Sequence, residues 1–235
     1  MIPLKDDVTS ETTPFVTYGL IALNLFVYLY QFSLGLDSRG PAQGPFEAFV
    51  LEFGLVPCRL TGACATADQF PSPFATIFSA MFMHANLLHV AGNMLYLWIF
   101  GDNVEDTLGH GRYLLFYVAS GVAAGLGHAL VNPSSRVPMV GASGAVSGVL
   151  GAYLLLFPGA TVLTLIAFFP FYRIIHIPAV IVLGFWIVLQ VVSGYVTVAL
   201  GRGETGGVAW FAHIGGFVAG MLLLFLLRPR QSRRI

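Results

Sequence analysis

Charge is scarce in this chain. Eleven lysines and arginines stand against eleven aspartates and glutamates, together 9% of 235 residues, where soluble domains carry roughly a quarter. Hydrophobic residues make up 57% and mean hydropathy is +0.81. So few charges cannot form a solvated skin, so the bilayer is the expected solvent. Net charge is zero and no basic block precedes the first apolar run, which argues against nucleic acid as a partner. Cysteine is nearly absent: Cys58 and Cys64 are the two present, and neither falls in an apolar run. The first fourteen residues are polar and mildly acidic, with Asp6, Asp7 and Glu11. That is the wrong flank for a cleaved signal peptide, so the first apolar run is expected to stay in the mature protein. No internal repeat or low-complexity stretch is evident.

What is there is a series of apolar segments at about 15–34, 85–101, 112–131, 143–157, 177–200 and 208–227. Their lengths sit near the roughly 17–25 residues that cross a hydrocarbon core, and they predict an all-α membrane protein with six transmembrane helices. The fourth is short, and its Gly-rich start suggests that it begins below the membrane surface. Residues 1–14 read as a polar tail, 15–227 as the bundle and 228–235 as a basic tail. The run from Thr161 to Phe171 is apolar but brief, closing on Phe169-Pro170-Phe171, and reads as an interfacial or re-entrant connection. The first connection, 35–74, is rich in Gly and Pro. Phe46, Phe49, Leu51, Phe53 and Leu55 give it apolar anchors, which favours a folded loop lying partly in the interface over a disordered one. Arg228, Arg230, Arg233 and Arg234 follow the last span and place the C-terminus in the cytoplasm. Six spans put the N-terminus there too, with the long first loop outside.

Ionisable and polar groups inside a membrane are costly and usually mark function. Here they cluster. The second span opens with His84, His89 and Asn93, the fourth with Gly141-Ala142-Ser143-Gly144, and the sixth with Ala212-His213-Ile214-Gly215-Gly216. Under this topology the even-numbered spans all run from outside to inside, so these ends share one depth near the outer leaflet. His89 and Asn93, four residues apart, share a helical face. Gly144, Gly148 and Gly151 form a small-residue strip beside Ser143, and Gly216 and Gly220 lie on the face of His213. Small residues let membrane helices approach closely, so spans four and six can bring the serine hydroxyl to the imidazole. Serine is a poor nucleophile until a neighbouring base takes its proton. The Ser143 N–H, His89 and the Asn93 amide are the available donors for an oxyanion.

The His84-x4-His89-x3-Asn93, Gly141-x-Ser143-Gly144 and Ala212-His213-x2-Gly216-x3-Gly220 sets resemble the three signatures of the rhomboid intramembrane proteases, in order and spacing, across essentially the whole chain. The resemblance implies a rhomboid-like six-helix bundle, a Ser143–His213 dyad with no third carboxylate, and no cofactor. It implies single-span or multi-span membrane protein substrates, cut near the outer leaflet of a bacterial inner membrane. It also implies a water-filled site open to the outside, with substrate reaching it near span five. The Gly-rich 201–207 segment, with Arg202 and Glu204, matches the flexible cap of the family, and Phe185 and Trp186 on span five are expected to face lipid or the gap. Glu105, in Gly101-Asp102-Asn103-Val104-Glu105-Asp106, takes a structural role. The chain departs from some members in two places. Ala75-Thr76 replaces a Trp-Arg pair ahead of span two, and Ser147 replaces a tyrosine that stacks on the base.

Blander readings stand beside these. Ser143 in a Gly-rich helix and His213 alone are compatible with helix packing. A metal held by His84, His89 and His213 lacks a His-Glu-x2-His pattern and any cysteine in a span. His128 either lines the site or packs. Cys58 and Cys64 are either a disulfide, on a side that is oxidising in a bacterial inner-membrane protein, or two unrelated thiols. A non-catalytic binder of membrane clients would typically lack the serine or the histidine. A proton-conducting transporter would spread its polar groups over the full depth.

Overall fold

The computed structural model describes residues 1–36, 44–64, 71–168, 171–199 and 209–229. The expected cap at 201–207, with Arg202 and Glu204, lies outside them, as do Arg230, Arg233 and Arg234.

Six helices form the body: α1 (Phe15–Leu36), α5 (Leu87–Leu108), α6 (His110–Val131), α7 (Ser143–Leu156), α8 (Ala179–Ala199) and α9 (Trp210–Leu227). Four of them, α1, α6, α8 and α9, are long and apolar enough to cross a membrane. A fifth candidate joins α5 to Pro73–Phe82 across an 80° bend. α7 has fourteen residues, about 21 Å at 1.5 Å per residue, short of a hydrocarbon core of roughly 30 Å. Its residues Gly144 through Tyr153 are all buried, so it is the central helix and has little need of a lipid-facing length.

The described residues of the first loop are folded. They form α2 (Pro45–Phe53), α3 (Pro57–Thr61), α4 (Pro73–Ser79) and a 3-10 turn at Ala80–Phe82. Each of the three helices has proline in its first turn, where the missing N–H would be unpaired anyway. Of the expected anchors, Leu55 is fully buried, and Phe49 packs on Phe53 and Tyr30 with ring centroids 4.8 and 5.4 Å apart. Leu55 and Met139 exchange backbone hydrogen bonds of 3.0 and 2.7 Å, tying the loop to the segment ahead of Ser143. Cys58 and Cys64 are paired through their sulfurs, with Cα atoms 5.2 Å apart.

The all-α expectation needs correction. A three-stranded antiparallel sheet, in the order β1 (Ile2–Asp6), β2 (Thr161–Phe168), β3 (Phe171–Pro178), sits at the C-terminal end of α7. Within the 161–171 run, Thr161–Phe168 is therefore a strand paired with Phe171–Pro178, and the N-terminal tail supplies the third strand. Thr161 pairs with Pro178 and Phe168 with Phe171, so the hairpin leaves and returns to the same end of the bundle. The residues explain it: Thr161, Val162, Thr164, Ile166, Ile174, Ile175 and Ile177 are β-branched and suit a pleated, one-sided surface.

The same end holds a polar network. Asp6 Oδ2 accepts from the Tyr153 hydroxyl (2.6 Å) and Asn103 Nδ2 (2.8 Å). Ser10 Oγ donates to Asp102 at 2.7 Å. The fully buried Glu105 accepts from the backbone N–H groups of Val16 and Thr17, at 2.9 and 2.7 Å, and from the Thr17 hydroxyl at 2.7 Å. It thereby satisfies first-turn donors of α1 that would otherwise lack partners. His110 Nδ1 lies 2.6 Å from Glu105 Oε1, the oxygen that also accepts from Val16.

Candidate active site

The site is built where the N-terminal ends of α5, α7 and α9 meet. Glycine makes that meeting possible. A Cβ on Gly216 would run into the carbonyl oxygen of Gly144, one on Gly220 into the backbone of Gly148, and one on Gly151 into the carbonyl of Phe217. At the same junction, Ala124 of α6 fills the space beside Gly144 and lies against Gly216, and Ser120 fills that beside Gly148. In lipid, where apolar burial between helices gives little drive, this close backbone contact is a main source of association.

Ser143 is the first residue of α7 and His213 the fourth of α9. His213 Nε2 lies 2.8 Å from Ser143 Oγ, and His213 is 8% exposed. Its Nδ1 lies 2.7 Å from Gln190 Oε1 on α8. Trp186 and Trp210 flank the ring at centroid distances of 5.8 and 6.4 Å, the second edge-on. The partly buried Trp186 ring packs against His213 and Phe217, while Phe185 is half exposed.

The turn into α7 depends on Gly141, whose φ is +134°, a backbone conformation that side chains strongly disfavour. A Cβ there would sit 2.8 Å from His89 Nε2 and 3.5 Å from Ser143 Oγ, so His89 and Ser143 border the same small space. The Gly141 N–H donates to the Ala80 carbonyl at 2.9 Å. The Ala142 N–H donates to His84 Nε2 at 3.5 Å, and the His84 N–H donates to Gln31 Oε1 at 2.9 Å. His84 thus braces the loop ahead of Ser143, its ring edge-on to His89 at 5.1 Å.

Asn86 caps α5, its side chain accepting from the His89 N–H at 2.9 Å. Asn93 follows His89 by one turn, and its buried Nδ2 has no hydrogen-bond partner. A buried amide donor without a partner is costly and is suited to a ligand that arrives with negative charge. Ser147 donates back to the Ser143 carbonyl at 2.5 Å. His128 is buried, with the Asn132 N–H donating to its carbonyl at 3.0 Å.

Asn86, Gln31, Trp210 and Gln190 escaped the sequence reading. Asn86 carries a legible signal, an Asn immediately before an apolar helix. Gln190 carries a fainter one: a single amide in an otherwise apolar span.

A serine hydroxyl in contact with an imidazole, among long apolar helices, is what the described residues bring together here. The Rhomboid domain family model matches residues 71–230, and the chain belongs to the rhomboid family. With its long apolar helices it is an integral membrane protein. It is 28% identical over 240 residues to the rhomboid protease AarA of Providencia stuartii, covering 93% of this chain and 75% of that protein. It is 33% identical to RHOMBOID-like protein 1 of Arabidopsis thaliana over 66% of this chain and 36% of the relative. Rhomboid protease GluP of Bacillus subtilis shares 38% over 33% of this chain and 15% of its own length. The chain thus spans only a fraction of the last two proteins.

Proposed function

We propose that the chain is an intramembrane serine endopeptidase that hydrolyses peptide bonds of single-span or multi-span membrane proteins near the outer leaflet. The observation that carries this reading is the 2.8 Å contact between Ser143 Oγ and His213 Nε2. In this reading Ser143 attacks the scissile carbonyl carbon while His213 takes the hydroxyl proton as general base. The Ser143 N–H, Asn93 Nδ2 and His89 stabilise the oxyanion. His213 then protonates the leaving amine, and a water activated by the same imidazole releases the acyl group from Ser143. No cofactor enters. Gly141, Gly144, Gly216 and Gly220 set the approach of the helices, and His84 holds the loop ahead of Ser143.

The topology belongs to the same proposal: six spans, α1 and α5 to α9, in a bacterial inner membrane, with both termini in the cytoplasm. A Cys58–Cys64 disulfide on the outer side stiffens one turn of the first loop. The test is incubation of the purified protein with a single-span substrate carrying tags at both ends. Two fragments cut near the outer-leaflet end of the span are expected. Binding of the substrate without cleavage would favour a non-catalytic holder of membrane clients instead.

A further inference from the structure

Ser143 and His213 leave one question of chemistry open, which is how a dyad without a carboxylate keeps its imidazole in the reactive tautomer. A histidine that is to take a proton at Nε2 must carry its own proton on Nδ1. A neutral imidazole left to itself is free to hold the proton on either nitrogen. It is also free to swing, and Ser147 stands where some family members stack a tyrosine on the ring.

We infer that Gln190 is a positioning residue that fixes both the tautomer and the orientation of His213. Its Oε1 lies 2.7 Å from His213 Nδ1, and its Nε2 donates to the Trp186 carbonyl one helical turn back, at 3.2 Å. The second bond settles the first. A carbonyl only accepts, so the amide NH2 faces Trp186 and the amide oxygen faces the ring. An amide oxygen only accepts as well, so Nδ1 is the donor and bears the proton. Nε2 is left with its lone pair toward the Ser143 hydroxyl at 2.8 Å. Gln190 is 7% exposed, so water has little access to compete for that proton. The other titratable groups whose charge reaches His213 are His89 and His128. Both are imidazoles, and among the described residues no carboxylate contests Nδ1. An uncharged acceptor also suits the site: an anion there would add the cost of a buried charge, whereas a neutral amide supplies direction alone. The Trp186 ring beside His213 closes the arrangement, because one turn of α8 provides the packing surface, the carbonyl and the amide.

This inference rests on reading Ser143 and His213 as the reacting pair, and its test separates the two. Gln190→Met keeps length and apolar packing but has no acceptor. Gln190→Glu keeps an acceptor oxygen whether or not it is ionised. Both are assayed with Ser143→Ala on a single-span substrate, with thermal unfolding in parallel. Gln190→Met is expected to lower kcat roughly ten- to hundredfold, as befits one lost buried hydrogen bond. KM stays within about twofold, and Gln190→Glu recovers much of the loss. Wild-type kcat in Gln190→Met, or equal loss in both variants, overturns the inference. Activity in Ser143→Ala would instead overturn the catalytic reading itself. A second measurement needs no Gln190 variant. In protein labelled with 15N-histidine, the His213 signal, identified by its absence from His213→Ala, should show a protonated Nδ1. A proton on Nε2 alone contradicts the assignment.

Discussion

A Cβ on Gly216 would occupy the space of the Gly144 carbonyl oxygen, so the two helices that carry His213 and Ser143 touch backbone to backbone. The hydroxyl–imidazole distance is therefore set by glycines a few residues away from both groups. Gly216→Ala and Gly220→Ala are each expected to push α9 off α7. A displacement near 1 Å is worth about a hundredfold in rate, against an overpacking cost of about 1–3 kcal/mol in stability. Gly159, with open space around its Cβ position, is the control, and Gly159→Ala should change neither. Cleavage rate and thermal unfolding of the three variants check this.

The unpartnered Nδ2 of Asn93 and the His89 ring over Gly141 lead to a graded expectation. Asn93→Ala and His89→Ala should each slow cleavage by up to about 10²–10³-fold, with the protein still folded. The measurement is kcat on the single-span substrate. A variant with unchanged kcat removes that residue from the oxyanion site.

Much of the candidate site was legible in the sequence because its residues sit on helix ends whose spacing is fixed. His89 and Asn93 share a face by four-residue periodicity, and Gly144, Gly216 and Gly220 announce close helix contact. Gln190 and Trp186 were harder to read, since which face of α8 turns inward depends on tertiary packing. The sheet was missed for a different reason. An apolar run as short as Thr161–Phe168 has no period that separates strand from buried connection, and its partner β1 lies more than 150 residues earlier in the chain. Nor did the polar tail and the start of α1 disclose that Asp6, Ser10 and Thr17 would be held by Asn103, Asp102 and Glu105.

That polar end should make stability depend on pH. Burial pushes the Asp6 carboxyl up from its ordinary 3.8 to about 6; the Tyr153 hydroxyl opposes the shift and the Asp102 charge adds to it. The folded state then holds a proton that the unfolded chain gives up, so the contribution of Asp6 is fully present below about pH 4. It is lost as pH rises toward 6. Relative to Asp6→Asn, the wild type should lose thermal stability over this window. Parallel melting curves of the two proteins from pH 4 to 7 would refute it.

The return of the β2–β3 hairpin to its starting end, through the Thr161–Pro178 pairing, bears on topology. Single cysteines at Gly159 and Arg173 should react with an impermeant thiol reagent from the cytoplasmic side only, in a background lacking Cys58 and Cys64. Reaction from outside at either position would break the six-span proposal.

The most direct test of the central proposal is cleavage of a single-span substrate by purified wild type, Ser143→Ala and His213→Ala, each confirmed as folded and membrane-inserted. The account predicts that both substitutions abolish proteolysis, because nucleophile and base act as one unit. Cleavage by Ser143→Ala at a rate near that of the wild type would contradict it.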